Sequence, residues 1–196
     1  TAIVPLIAAI FCGLFSEWCA IRELTAAEAV QPPTEAQQIP EVAEAIKLFQ
    51  SRDFGGALEQ LRLAVENNPE LPPAQVMMAE LFAQANQGAA VRSSLESAVV
   101  ENPTDPQAYV ILGELALRGG RITEGHLALE KGANLLQTLE GNPQRKSLLT
   151  VRVLAGLASA AEARGQWPLA QQYLEQWLKG DPNNAAALQR LARVLF

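Results

Sequence analysis

Apolar positions along this chain recur at intervals of three and four, and the small ones among them fall in register over long distances. Between Ala57 and Pro69 the order is A-L-E-Q-L-R-L-A-V-E-N-N-P, and between Val91 and Pro103 it is V-R-S-S-L-E-S-A-V-V-E-N-P. Leu61 answers Leu95, Ala64 answers Ala98, Val65 answers Val99 and Pro69 answers Pro103, each pair 34 residues apart. Residues three and four apart are neighbours on one helix face, so each stretch predicts a helix with a small–leucine–small stripe. A constant offset of this size predicts stacked repeats. One more period leads from Leu95 to Leu129, in G-H-L-A-L-E-K-G, and 45 residues further stands Leu174, in A-Q-Q-Y-L-E-Q-W-L-K-G-D-P. The last step is one period with 11 residues inserted.

The stripes and their punctuation predict helices over residues 41–51, 54–67, 73–86, 88–101, 106–118, 122–139, 143–164, 167–179 and 184–196. Small residues let paired helices approach closely, and the leucines fill the space between them. One such hairpin cannot bury both of its faces, so each must stack on the next. The prolines after Asn68, Asn102 and Asp181 stop one helix and lead to the start of another. Gly55-Gly56, Gly119-Gly120 and Gly165 read as hairpin turns that need a left-handed backbone. Helix signal runs past Gln137 to Leu139 before Gly141-Asn142-Pro143 stops and restarts it, so the 11 extra residues are expected to lengthen two facing helices into a ridge.

These second-helix segments resemble the tetratricopeptide repeat family, whose first helices carry an aromatic, a leucine–glycine pair and a second aromatic at fixed spacing. Tyr109, Leu112 and Gly113 match that pattern, with Ala116 in the final aromatic slot. Elsewhere the slots hold Leu154, Leu157, Ala158 and Ala161, then Met78, Ala79 and Phe82, and most weakly Glu44, Ala45 and Leu48. The resemblance covers residues 40–196 and implies an all-α solenoid of about four and a half helix–turn–helix repeats, wound as a right-handed superhelix. It also implies a binding scaffold whose concave groove is lined by first helices. Carried over slot by slot, that groove includes Val42, Ile46, Val76, Met77, Glu80, Val110, Ile111, Glu114, Arg118 and Arg152. The Lys and Asn with which some relatives hold a terminal carboxylate are absent, since Val42, Ile46, Met77, Gln107 and Ile111 stand there.

Ahead of the repeats, Ala2–Phe15 is uninterrupted apolar sequence. A run of that length suits the core of a signal peptide, and with Trp18 to Ile21 it extends toward a membrane anchor over residues 1–24. Both cysteines, Cys12 and Cys19, lie there, which suits an exported or membrane-anchored domain of bacterial type. Residues 25–40 contain three prolines and no helical stripe, and read as a linker before a repeat domain over 41–196. A formal net charge of −6 with no basic run longer than Arg145-Lys146 argues against a nucleic-acid partner.

Catalytic chemistry is not expected. His126 is the only histidine and sits at an ordinary second-helix position, and no Cys–His cluster has metal spacing. Glu80, Glu114 and Glu162 follow one another along successive first helices instead of converging as an acid–base pair would. The expectation is therefore a non-enzymatic scaffold without cofactor or metal that binds a protein or peptide partner through an apolar strip. Glu80 and Glu114 are expected to flank that strip and to favour Lys or Arg in the partner. The alternative is a structural subunit of a larger membrane-associated assembly. Leu188, Leu191 and Leu195 end the chain on an apolar face, from which either further sequence or self-association is expected.

Overall fold

The computed structural model describes residues 39–196, and within them every regular element is an α-helix. In chain order these are α1 (Pro40–Gln50), α2 (Phe54–Asn67), α3 (Ala74–Gln84), α4 (Gly88–Glu101), α5 (Pro106–Arg118), α6 (Ile122–Thr138), α7 (Pro143–Ala163), α8 (Trp167–Gly180) and α9 (Ala185–Leu195). The apolar segment 1–24 and most of the proposed linker lie outside the described residues. Among the described residues no helix is long and apolar enough to cross a membrane.

Helix starts follow local chemistry. Asp53, Asp105, Asn142 and Asn184 each accept a hydrogen bond from a first-turn backbone N–H, satisfying donors that have no partner inside the helix. Prolines occupy the first turns of α1, α5, α7 and α8, where a missing N–H costs nothing.

The turn inside each hairpin has one geometry, repeated four times. Asp53, Gln87, Arg121 and Gln166 donate their N–H groups to Leu48, Phe82, Ala116 and Ala161, all at 2.9 Å. The residue before each donor is left-handed: Arg52 (φ 66°), Asn86 (φ 56°), Gly120 (φ 73°) and Gly165 (φ 67°). This bond, closing back over a left-handed residue, is the Schellman termination of a helix. It corrects the expectation for Gly55-Gly56. The strained position is Arg52, whereas Gly55 and Gly56 belong to the first turn of α2. There a side chain on Gly56 would strike the Asp53 carboxylate that caps the helix, at 2.5 Å. Gly119 is likewise right-handed, at φ −82°.

Stacking follows the sequence register. Leu61, Leu95, Leu129 and Leu174 are all essentially inaccessible, as are Ala57, Ala64, Ala98 and Ala170 in the flanking small slots. Backbones come closest where α5 crosses α6. A methyl on Gly113 would meet Leu129 Cγ at 2.6 Å and the Gly125 carbonyl at 3.1 Å, and one on Gly156 of α7 would meet Leu129 Cδ1 at 2.6 Å. Leu129 thus fills the junction of three helices only because two of them offer glycine. Toward the N-terminus the packing is aromatic: Phe49, Phe54 and Phe82 form a triangle with ring centroids 5.1–5.2 Å apart.

The 11-residue insertion lengthens helices, as expected. α6 has 17 residues against 14 in α4, and α7 has 21 against 13 in α5, while the loop between them spans four residues like the loop before α5. Gains of three and eight residues account for the whole insertion.

Candidate functional site

The first helices of each hairpin, α1, α3, α5 and α7, form one face together with α9. Of the apolar residues expected there, Val76 and Val110 are 0% exposed and Val42 and Met77 7%. These four belong to the core. α1 packs on α2, and α3, α5 and α7 each pack on their own second helix and on at least one neighbouring repeat. Val110, for example, packs directly on Gly132 of α6. Ile46 and Ile111 stay half-buried at the surface, and Glu80 and Arg118 are exposed. The apolar strip expected from the sequence is therefore interrupted, and what remains accessible is grouped in hollows.

The charged residues need a second correction. Glu114 receives two hydrogen bonds from Arg152, at 2.8 and 2.6 Å. A bidentate carboxylate–guanidinium pair of this kind leaves little charge for a basic partner. Glu80 accepts a weaker 3.3 Å bond from Gln107. The two contacts are the same contact, because Gln107 and Arg152 occupy equivalent slots one 45-residue period apart, as Glu80 and Glu114 do one 34-residue period apart. α5 and α7 thereby each reach back to a carboxylate of the first helix before. The pattern continues with Arg190 of α9, which bonds Glu162 at 3.0 Å, Ser159 at 3.0 Å and the Ala155 carbonyl at 3.1 Å, while Arg193 takes the other Glu162 oxygen at 2.9 Å.

Electrostatics differ between the two carboxylates expected to act alike. Glu80 lies on a concave face, crowded by protein although water reaches it. That burial pushes its carboxyl above the usual range, against the opposing pull of Arg152, the Gln107 hydrogen bond and Arg145. Arg152 is held above its ordinary value chiefly by its hydrogen bond to Glu114, with burial opposing.

Two hollows open on this face and share one residue, Arg118. The first, about 290 Å³, lies between α3 and α5 over Ala83, Ile111 and Leu115, with Glu80 on its rim. The second, about 520 Å³, lies among α5, α7 and α9 over Leu117, Val151 and Ala155, with Arg152, Ser159 and Arg190 at its edges and Trp177 among its lining residues. Arg118 makes no ion pair among the described residues. A third, more polar cleft of about 620 Å³ sits on the edge where the α6–α7 loop at Leu139–Asn142 meets Asn68, Pro69 and Asp105. Arg145 closes its inner wall by bonding Asp105 at 2.6 Å and Gln107 at 2.8 Å.

Arg145, Arg190, Arg193 and Trp177 were not among the residues expected at the face. The pairing of Glu80 with Gln107 and of Glu114 with Arg152 was also unexpected, and an offset in the sequence carried that signal. Glu80 to Gln107 is 27 residues and Glu114 to Arg152 is 38, which differ by the 11-residue insertion. Among the described residues no group of His, Cys, Asp or Glu side chains could hold a metal ion.

Helical hairpins repeating one turn geometry and one buried leucine column define a helical-repeat solenoid. Residues 151–194 match the tetratricopeptide repeat family model, and the described helices share the fold of solved helical-repeat proteins. PilF of Pseudomonas aeruginosa aligns over 82% of this chain and 68% of its own, with 17% identity and a TM-score of 0.56. PilW, described as a widely conserved type IV pilus biogenesis factor, aligns over 79% of this chain and 66% of its own, with 19% identity and a TM-score of 0.54. Yeast Tom70 aligns over 79% of this chain but 31% of its own, with 18% identity and a TM-score of 0.58. No curated protein sequence matches the chain.

Proposed function

We propose that this chain is a non-enzymatic docking scaffold that holds an apolar or amphipathic peptide segment of a protein partner along its first-helix face. One observation carries the reading: the two adjoining hollows keep Ala83, Ile111, Leu115, Leu117 and Ala155 accessible on a face where Glu114, Arg152, Glu162 and Arg190 are engaged with one another. Apolar contacts in such a site supply affinity, and the polar rim fixes direction. The fold supports this use, since a stack of hairpins presents an extended surface. Export or membrane attachment rests on the apolar sequence of residues 2–15, and N-terminal sequencing of the mature protein from cells tests it.

The groove is tested by selecting peptides against the 196-residue chain and mapping hydrogen exchange with a selected peptide bound. Protection is expected on α3, α5 and α7, with affinity lowered at least tenfold by Ala83→Trp, which fills the first hollow from an exposed position. Protection confined to α2, α4, α6 and α8 would place binding on the opposite face and end this reading. A second reading, a structural subunit of a larger membrane-associated assembly, is favoured by α9, where Leu188 and Leu195 are 46% and 54% exposed.

A further inference from the structure

The whole chain is acidic, with a formal net charge of −6, but the first-helix face is not acidic throughout. Around the second hollow stand four guanidiniums, Arg118, Arg152, Arg190 and Arg193, against two carboxylates, Glu114 and Glu162. Both carboxylates are fully used: Glu114 is held bidentate by Arg152, and Glu162 gives one oxygen to Arg190 and the other to Arg193. Glu80 also acts on Arg152 through space, so one positive charge, that of Arg118, remains unbalanced beside a hollow whose floor is Leu117, Val151 and Ala155. Arg118 has no carboxylate partner among the described residues and is the most available of the four, standing where the two hollows meet. Glu80 also lines the first hollow, and its hydrogen-bond partner is Gln107.

A second, independent feature marks the same hollow. Trp177, 8% exposed, is one of its lining residues, and its indole N–H is buried with no acceptor in the protein. A tryptophan in a slot held by Ala64, Ala98 and Gly132 in the other repeats brings an unmatched donor to this one position. Unmatched donors beside excess guanidinium favour a group rich in acceptors.

We propose that the occupant of this hollow is an acidic–apolar peptide segment, with Asp or Glu at Arg118 and an apolar side chain on each side, one per hollow. The acid is set between the hollows because Arg118 is. This deepens the groove reading and rests on it, and it reverses the basic partner expected from Glu80 and Glu114. Guanidinium on one side and carboxylate on the other act over the screening length, so the preference is greatest at low salt.

The experiment is a display selection from a random 12-residue peptide library against the 196-residue chain, followed by anisotropy titrations of the enriched peptides at two salt concentrations. The expected result is enrichment of Asp or Glu flanked by apolar residues, with affinity reduced at least tenfold by Arg118→Glu and within threefold of wild type for Arg118→Lys. Trp177→Phe, which keeps an aromatic ring and removes the indole donor, is expected to weaken the same peptides. Enriched peptides that are basic or uncharged, yet lose binding to Ala83→Trp, would overturn the acidic preference and leave the groove standing. Peptides indifferent to Arg118→Glu, Trp177→Phe and Ala83→Trp alike bind elsewhere, and that outcome overturns the groove reading as well.

Discussion

The regular hairpins α1–α4 and the lengthened pair α6–α7 use the same fold and hold it by different means. In the first region the period is strict and the packing apolar: the Phe49–Phe54–Phe82 triangle joins α1, α2 and α3, and Leu61 and Leu95 repeat one contact at one spacing. In the second, extra turns project past the stack and must find partners of their own. Some of those partners are apolar: Leu136 and Leu149 are buried in one core cluster with Leu129, and Leu139 packs against it. Others are polar: Arg145 reaches Asp105 and Gln107, and Lys146 donates to the Leu139 carbonyl at 2.9 Å. Added helix length thus extends the apolar core on one side and brings directional contacts on the other, while Leu148 remains exposed. Insertions in a solenoid can be accommodated this way because each repeat contacts only its neighbours, so the disturbance stays local.

The comparison can be broken most forcefully at its apolar end. Leu95 is fully buried in the regular stack. Leu95→Ala is expected to cost about 2–5 kcal/mol, the range for truncating a buried leucine. Denaturant unfolding measures it, and a cost below about 0.5 kcal/mol would show that the stack relaxes around the site far more than a packed core does. At the polar end, the Arg145–Asp105 pair is largely shielded, with side chains 13% and 14% exposed. Arg145→Met is expected to cost about 1–3 kcal/mol, less than breaking a fully buried pair but more than a surface one. Hydrogen exchange should show the loss in the first turns of α7, with α1–α4 unchanged. Equal loss of protection in both regions would mean that the extension is coupled to the whole stack.

Much of this was written in the punctuation of the chain. Helix limits lie within two residues of those expected, because Asp, Asn, Pro and Gly at the ends act through local backbone chemistry that needs no tertiary context. The buried leucine column and the lengthening of α6 and α7 were legible for a related reason, since register survives an insertion that keeps the helical phase. The face was less legible. Whether Val76 or Ile111 lines a surface depends on how far neighbouring helices wrap around each one, which spacing within a single helix does not encode. Glu80 and Glu114 share a slot and looked alike, yet their partners come from the next helix, where one repeat supplies Gln107 and the other Arg152. The left-handed turn at Arg52 escaped notice because the glycine pair, the usual marker, stands three and four residues later, with Gly56 there for a capping reason instead.

That turn offers a gain where the earlier substitutions cost stability. Arg52 and Asn86 hold the left-handed position that Gly120 and Gly165 fill in the later hairpins. Left-handed backbone costs most residues about 1–2 kcal/mol, and glycine's extra freedom in the unfolded chain returns part of that. Arg52→Gly is expected to raise stability by roughly 0.5–1 kcal/mol, and Asn86→Gly by less, because asparagine tolerates this conformation. A loss at Arg52 in thermal melts would show that its side chain does more for the N-terminal hairpin than its backbone strain costs.

The smallest effect concerns Glu80 and is a matter of sign. Its carboxyl is raised by burial, so the folded state holds the proton more tightly than the unfolded state does. Such a group destabilises the fold at neutral pH, and the penalty disappears as pH falls through the folded value to the ordinary carboxyl range. Glu80→Gln removes the charge and keeps the shape, so it is expected to stabilise by a few tenths of a kcal/mol at pH 7, discounted because water reaches the residue. Below about pH 4, where a free glutamate is itself largely protonated, the difference should vanish. Glu114→Gln is the control: with its partner Arg152 left facing a neutral amide, it is expected to destabilise at pH 7. If both substitutions shift stability in the same direction at pH 7, the two carboxylates are equivalent after all, and the distinction between a crowded acid and a paired one fails.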